Sequence, residues 1–453
     1  MTQFIYCMTY NMWYPEKTDS RMGVNELVFA IEEAITCHEL KVGDRLPPQR
    51  ILAYKLEVNP TTVSRAYQRA AQKGLVGGQI GRGTYVLGNS NAAMFAQAIG
   101  ASDGLKINLS INKLRCDDVI LKLNKQIETV NTLASTPQYY EYICNDLVLR
   151  FQRAVSQWLE ACREVQFSED QILALPSCQY ALQMIFIRLL NRGDAILVDE
   201  FTAPGIITAA KQRGLRMFIC KGDEQGITPE GLVSAVKQTG ARMLVTIPSH
   251  HSPLGFTQTE ARRRALAGEI RRLDLLLVEE DIYGMFATPA PISGYVPEQS
   301  LLVSGFSKCL SGGHRASFIA SANPVLQKLR DNIVETAWLV SASAASHIIT
   351  AIEHGLIDKA VQHCLAELKR RNFQLNKRLG LDLPLSSPHH WLANSILDIS
   401  GLKAAGVDVA AASHFSVNPL EDPLSFCRLS VNGVDDETFE QGLNLLSGFV
   451  RKY

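Results

Sequence analysis

A lysine directly behind an apolar run is the residue with most chemical reach in this chain. In Ser304-Gly305-Phe306-Ser307-Lys308, Lys308 follows the run Leu301–Val303, and Gly312, Gly313 and Arg315 come within seven positions. An ε-amine held in a dry site loses basicity and can add to an aldehyde to form an imine. Arg315 could grip a phosphate with two parallel N–H bonds. The small residues around it, Ser307 included, let backbone N–H groups approach the same anion. A solitary lysine at a strand end is usually a salt-bridge partner, so this reading depends on the company it keeps.

That company exists. Val278-Glu279-Glu280-Asp281-Ile282-Tyr283 sets acids behind an apolar run, where they are costly unless paired. A carboxylate beside a pyridine nitrogen keeps it protonated and makes the ring an electron sink. A tyrosine hydroxyl such as that of Tyr283 can bond an oxygen on the ring. Ser177-Cys178-Gln179-Tyr180 reads as a turn opening a helix, whose first N–H groups form an anion site. Arg428, inside the apolar run Phe426–Ser430, could clamp a carboxylate. Alone, each has an ordinary explanation: acids drawn to a helix dipole, an N-cap, a satisfied interior arginine.

The elements that must carry these residues follow from periodicity. Strands are predicted at Ile172–Leu175, Ala195–Val198, Met243–Ile247, Leu275–Val278, Leu301–Val303 and Phe318–Ala320, with helices such as Ala181–Leu190 and Thr259–Arg272 between several of them. Alternating strands and helices predict an α/β fold with a mainly parallel sheet covered on both faces. Ligands in such sheets gather at the carboxyl ends of strands, which is where the reactive residue types stand.

The first hundred residues differ. From Arg45 to Asn89 seven basic residues face one acid, Glu57, a net of +6. Leu27, Ile31, Ala34 and Ile35 predict a first helix, and Leu52 and Leu56 mark a second behind Pro47-Pro48. Asn59 suits an N-cap and Pro60 a first helical position. In the third helix Val63, Ala66, Tyr67 and Ala70 point inward, leaving Thr61, Thr62, Ser64, Arg65, Gln68 and Arg69 outward. Gly77-Gly78 and Gly81–Val86 predict a β-wing with Arg82 at its tip. Two helices joined by a tight turn, the second polar and basic outward, match a recognition helix in a major groove, and the charge suits phosphate contact.

Composition frames both halves. The chain has 453 residues, 46% hydrophobic and 20% charged, with 45 basic residues against 45 acidic ones. Disorder is excluded, and the neutral total hides the basic module. None of the ten cysteines forms a Cys-x-x-Cys pair or a zinc-spaced cluster, so reduced thiols and no metal site are expected. The start shows no signal-peptide pattern, and the stretch Thr336–Ile352 is too short and polar to span a bilayer comfortably. A cytoplasmic protein without membrane contact is expected.

Leu46-Pro47-Pro48-Gln49-Arg50, Val58–Tyr67 and Gly81-Arg82-Gly83-Thr84 resemble the winged helix-turn-helix of GntR-family transcription regulators. The resemblance implies operator-DNA contacts from Arg50, Asn59, Thr61, Thr62, Ser64 and Gly81. Relatives commonly carry Arg where Pro60 and Ser64 stand here, so Arg65 or Arg69 is expected to take over phosphate contact, with Arg82 meeting DNA from the wing tip. The remaining motifs, above all Ser307-Lys308-x4-Gly313-x-Arg315, resemble pyridoxal-phosphate enzymes of the aminotransferase fold, fold type I. By that resemblance Lys308 is the aldimine lysine and catalytic residue, and Arg315 binds phosphate with Ser177, Cys178 and Ser307. Asp281 pairs the pyridine nitrogen, with Glu280 as its rival, Tyr283 serves the 3-oxygen, and Arg428 holds the carboxylate of an amino-acid ligand. Ser252 stands where the family's 3-oxygen asparagine is usual, Ala203 where a ring-stacking tyrosine is usual, Gly305 where a phosphate-binding hydroxyl is frequent, and Pro176 where a glycine is common.

A GntR-type winged helix joined to an aminotransferase-like domain resembles MocR-type regulators. The expected organisation is an extension at 1–23, the winged helix at 24–88, a linker at 89–106, and the pyridoxal-phosphate domain at 107–453. In that domain a large lobe runs to about 350 and a small lobe from about 351. The resemblance implies a homodimeric transcription regulator that senses an amino acid, an amine or pyridoxal phosphate itself through aldimine chemistry at Lys308. The alternatives are an active aminotransferase with the winged helix as accessory, and a regulator that has lost the cofactor.

Overall fold

The computed structural model describes residues 13–15, 22–36, 39–40, 44–72, 75–79, 83–86, 107–336, 339–418, 422 and 424–451. The chain divides into two compact units, Met1–Asp103 with Asn418–Pro423, and Gly104–Val417 with Leu424–Tyr453.

In the first unit three helices close a small core: α1 (Val24–Thr36), α2 (Gln49–Leu56) and α3 (Pro60–Gln72). Leu27, Ile31 and Ala34 of α1 meet Leu52 and Leu56 of α2 and Val63, Ala66, Tyr67 and Ala70 of α3. These are the inward positions expected from helical spacing. The Tyr67 hydroxyl donates to the Pro47 carbonyl at 2.8 Å, which ties α3 to the entry of α2. α2 stops at Glu57, whose φ of 54° is left-handed. Asn59 Oδ1 then accepts from the Thr61 N–H at 2.9 Å and starts α3. Strands β1 (Val76–Gln79) and β2 (Gly83–Val86) form an antiparallel hairpin. Residues 44–46 add a third edge, through Leu46 N–H to Thr84 O and Val86 N–H to Asp44 O, both 2.8 Å.

The second unit is an α/β sandwich. It begins with the short β3 (Ile107–Asn108), and after the helix Asp118–Val130 comes the helix α4 (Asn145–Arg163). Its sheet comprises β4 (Ile172–Leu175), β5 (Ala195–Val198), β6 (Arg216–Ile219), β9 (Met243–Thr246), β10 (Leu276–Glu280), β11 (Ser300–Gly305) and β12 (Ser317–Ala320), in the order β4-β12-β11-β10-β9-β5-β6. A small hairpin, β7 (Gly222–Asp223) with β8 (Gly226–Ile227), follows β6. β12 runs antiparallel to both neighbours, and the other contacts in the sheet are parallel. The predicted strands are all present within a residue or two, and Thr259 caps its predicted helix by accepting from the Arg262 N–H. β6 escaped the sequence reading because it lies at the sheet edge and is part-exposed, so it lacks the unbroken apolar run of an interior strand.

A three-stranded sheet, β13 (His389–Ala393), β16 (Phe426–Ser430) and β15 (Ala410–Ala411), forms the C-terminal lobe. β14 (Val407–Asp408) pairs in parallel with β3. The start of the unit thus joins its C-terminal part, a pairing that a lobe boundary at about 350 does not express. The apolar stretch before residue 353 is the buried helix Ala342–Glu353. No described helix is long and apolar enough to cross a membrane.

Candidate functional site

The parallel strands bring their carboxyl ends to one edge of the sheet. β4 ends before Ser177, β5 before Asp199, β9 before Ser249, β10 at Glu280, and β11 three residues before Lys308. β12 runs the other way, so its start lies at the same edge. Gly305 and Ser317 are direct partners, and the loop between them carries Lys308 and Arg315. Reversal of one strand therefore brings lysine and arginine together from opposite ends of a short loop. Arg315 takes a φ of 50°, a left-handed conformation that a side-chain-bearing residue rarely adopts.

Ser177 caps the helix α5 (Cys178–Leu189), its Oγ accepting from the Tyr180 N–H at 3.1 Å. Burial, with Glu280 adding to it, pushes the Cys178 thiol up to about 12 against the opposing pull of Lys308 and Arg315. Glu280, Lys308 and Arg315 therefore each lie within electrostatic reach of Cys178. Ser307 is half-buried beside Lys308.

The three acids divide by strand alternation. Glu279 accepts from the N–H groups of Ile292 and Ser293 at 3.0 and 2.7 Å. Asp281 pairs with Arg163 of α4 at 3.1 Å, both side chains 2% exposed, and a Cβ on Gly284 would stand 1.7 Å from its Oδ2. Glu280 points to the other face. Its Oε2 is buried without a hydrogen-bond partner among the described residues, as is Asp281 Oδ1, so the two acids differ by the Arg163 pair and by the face they take. Burial lifts the Glu280 carboxyl to about 7 against the pull of Lys308. Asp281, the sequence choice for the ring nitrogen, is thus held by a buried ion pair, and the acid facing Lys308 is its rival Glu280. Alternation decides this, since successive side chains leave a strand on opposite faces.

Tyr283 is buried, with the Lys308 Nζ 5.6 Å from its ring centroid. Lys308 Nζ donates to the Asn112 carbonyl at 2.5 Å. Arg428 donates to Ser252 Oγ at 3.1 Å and to the Ser110 carbonyl at 2.7 Å. Burial lowers the Arg428 guanidinium to about 10, and Tyr283 opposes that shift. The short segment Ser110–Asn112 thus offers one carbonyl to the lysine and another to the arginine. His389 pins it, its Nδ1 lying 2.6 Å from Asn112 Nδ2 and its Nε2 2.9 Å from the His251 carbonyl. Asp199 accepts from Thr246 Oγ1 at 2.7 Å and lies 3.5 Å from His251 Nε2.

The sequence reading missed Ser110, Asn112, His389 and Arg163. The first two act through backbone carbonyls, which leave no mark in a sequence. His389 and Arg163 gain meaning only from partners more than a hundred residues away.

The winged helix exposes Arg50, Asn59, Thr61, Arg65 and Arg69, with Thr62 and Ser64 half-buried. Asn59 is engaged as the cap of α3, and Arg69 donates to Asn25 Oδ1 at 2.8 Å. Gly81 and Arg82 lie outside the described residues.

Comparison with known proteins fits both units. Residues 105–444 match the aminotransferase class I and II family, and residues 24–86 match the gntR family of bacterial regulatory proteins. YisV of Bacillus subtilis, described as an uncharacterized HTH-type transcriptional regulator, is 27% identical over 80% of this chain and 81% of its own. YdeF of the same organism, similarly described, is 25% identical over 92% of each chain. Among solved structures, a multiple substrate aminotransferase from Thermococcus profundus superposes with a TM-score of 0.68 at 20% identity, over 79% of this chain and 94% of its own. A kynurenine aminotransferase from Pyrococcus horikoshii gives 0.69 at 17% identity, over 79% and 93%.

Proposed function

The chain belongs to the aminotransferase class I and II family, carries a GntR-type DNA-binding domain and so has the make-up of a MocR-type transcription regulator; from that premise we propose that its large unit senses an amino acid or amine with pyridoxal phosphate bound at Lys308. The family's cofactor is pyridoxal phosphate, and the donor set at the sheet edge suits it. An amine, a guanidinium, a helix N-terminus and a buried carboxylate with an unpartnered oxygen converge there. That convergence is the observation that carries the reading.

When bound, the cofactor supplies an aldehyde for which amines compete and a ring that draws electrons. Lys308 would hold the aldehyde. Arg315, Ser177, Cys178 and Ser307 would hold the phosphate, the last three largely through the helix terminus and loop backbone. Glu280, rather than Asp281, would keep the ring nitrogen protonated. Tyr283 would bond the 3-oxygen, with Ser252 nearby as the anchor of Arg428. Arg428 would take an effector carboxylate. Arg428 spends a donor on the Ser110 carbonyl, so an effector carboxylate arriving at Arg428 would compete with that bond. A homodimer in the cytoplasm, with two winged helices reading two half-sites, completes the proposal.

Two measurements test it. The purified chain should show a near-visible absorbance band that borohydride abolishes, and Lys308→Ala should lack it; absence of a bound chromophore from both proteins rejects the reading. DNA from upstream of its own gene should bind with strong salt dependence and respond to one member of an amino-acid and amine panel. The competing reading, an active aminotransferase with an accessory winged helix, rests on the pairing of Lys308 with Arg428. Robust transamination without DNA binding would establish it.

A further inference from the structure

Arg428 stands in an aromatic setting that the cofactor reading does not use. β16 and β13 are antiparallel with Arg428 opposite Trp391 and Phe426 opposite Ala393. Opposed residues share a face of a sheet, as do alternate residues of a strand. Phe426, Arg428 and Trp391 therefore rise from one face. Trp391 stacks on Phe426 with centroids 5.6 Å apart and planes 5° from parallel. Phe201, just past the carboxyl end of β5, meets Trp391 at 5.1 Å and bridges to Ser416 through its backbone. Phe415 closes the group, 5.8 Å from Trp391 and with the Arg428 guanidinium carbon 4.7 Å over its ring.

Phe415 is fully buried and supports the guanidinium from behind. Phe201, Trp391 and Phe426 are only part-buried. Three large rings left partly open, beside a cation argued to receive a carboxylate, form a binding wall rather than a finished core. A ring or branched chain would stack there with little entropic loss because the wall is already built. An acidic side chain would meet hydrocarbon and lose its hydration without a partner.

We propose that the effector is an α-amino acid with an aromatic or bulky apolar side chain, and that Trp391, Phe201 and Phe426 determine that specificity. This rests on the reading that Arg428 takes the effector carboxylate. The experiment titrates the full chain, loaded with pyridoxal phosphate, with L-phenylalanine, L-leucine, L-alanine and L-glutamate, following the cofactor absorbance. Phenylalanine should bind at least about tenfold tighter than alanine, and glutamate no tighter than alanine. Trp391→Ala should bring the phenylalanine-to-alanine ratio toward unity while alanine still binds. Trp391→Leu and Phe426→Leu should lower it in part, and they decide the matter if the alanine variant fails to hold cofactor. Equal affinity for phenylalanine and alanine, a preference for glutamate, or variants that weaken every ligand equally would overturn the specificity alone. A loaded protein whose spectrum no amino acid perturbs would overturn the effector reading and this inference with it.

Discussion

Glu280 is the residue on which the chemistry of the site turns. Its folded carboxyl titrates near 7 because it is buried, whereas an exposed glutamate titrates near 4.3. The folded pKa is raised, so the folded state binds the proton more tightly. Stability of the cofactor-free chain should therefore fall as pH rises from about 4.5 to about 7 and level off above. The loss from this group is on the order of 3 kcal/mol. Glu280→Gln should remove most of it, so the stability gap between variant and parent in thermal melts should open in the variant's favour from about pH 4.5 to about pH 7 and stay level above that. A constant gap at every pH would count against the assignment. In the loaded protein the same variant should shift the cofactor spectrum and weaken retention. Asp281→Asn should instead act on the fold. Breaking its buried pair with Arg163 should cost about 3–5 kcal/mol in denaturant unfolding, with the spectrum of the surviving folded fraction unchanged.

At the scale of elements, α3 shows how a few local rules build a reading head. Asn59 caps it, four apolar positions bury it, and its polar face is left outward. Asn59→Ala should cost about 1 kcal/mol of winged-helix stability. For a module this small that lowers its own thermal transition by about 4–8 °C, measurable by circular dichroism on the full chain, with the transition of the large unit unmoved. The sheet shows a second element-scale device. Because β12 alone is antiparallel to its neighbours, the loop between Gly305 and Ser317 starts and ends at the ligand edge. A parallel β12 would have needed a crossover connection and would have carried Arg315 to the far edge.

For the molecule as a whole, a formal charge of zero is the sum of unlike parts, with +6 between Arg45 and Asn89. DNA binding should follow the part and not the total. Affinity should fall steeply with salt, and Arg50→Ala should lower the slope of log affinity against log salt by about 1. Lys308→Ala should leave that slope unchanged while abolishing the response to effector. Measured by fluorescence anisotropy across a salt series, these two outcomes separate the reader from the sensor. If Lys308→Ala changed the slope instead, the division of labour proposed for the two units would be wrong.

Much was legible from local pattern. Helix periodicity, the Asn59-Pro60 start and the strand runs are set by neighbours in the chain, so the winged helix, the mainly parallel sheet and the stations of Lys308, Arg315 and Arg428 could be read directly. The edge strand β6 could not, because part-exposure removes the apolar signal. Choice among Glu279, Glu280 and Asp281 also lay beyond local pattern. Three adjacent acids are equivalent until the pleat turns Glu280 toward Lys308 and leaves Glu279 and Asp281 on the other side, the one to meet backbone N–H groups and the other Arg163. The carbonyls of Ser110 and Asn112, and the rings gathered around Arg428, were likewise assigned by tertiary structure alone. The sequence by itself determined which chemical groups this protein owns and which elements carry them. Only the fold decided which of those groups meet, because a contact between residues hundreds of positions apart depends on strand direction and register.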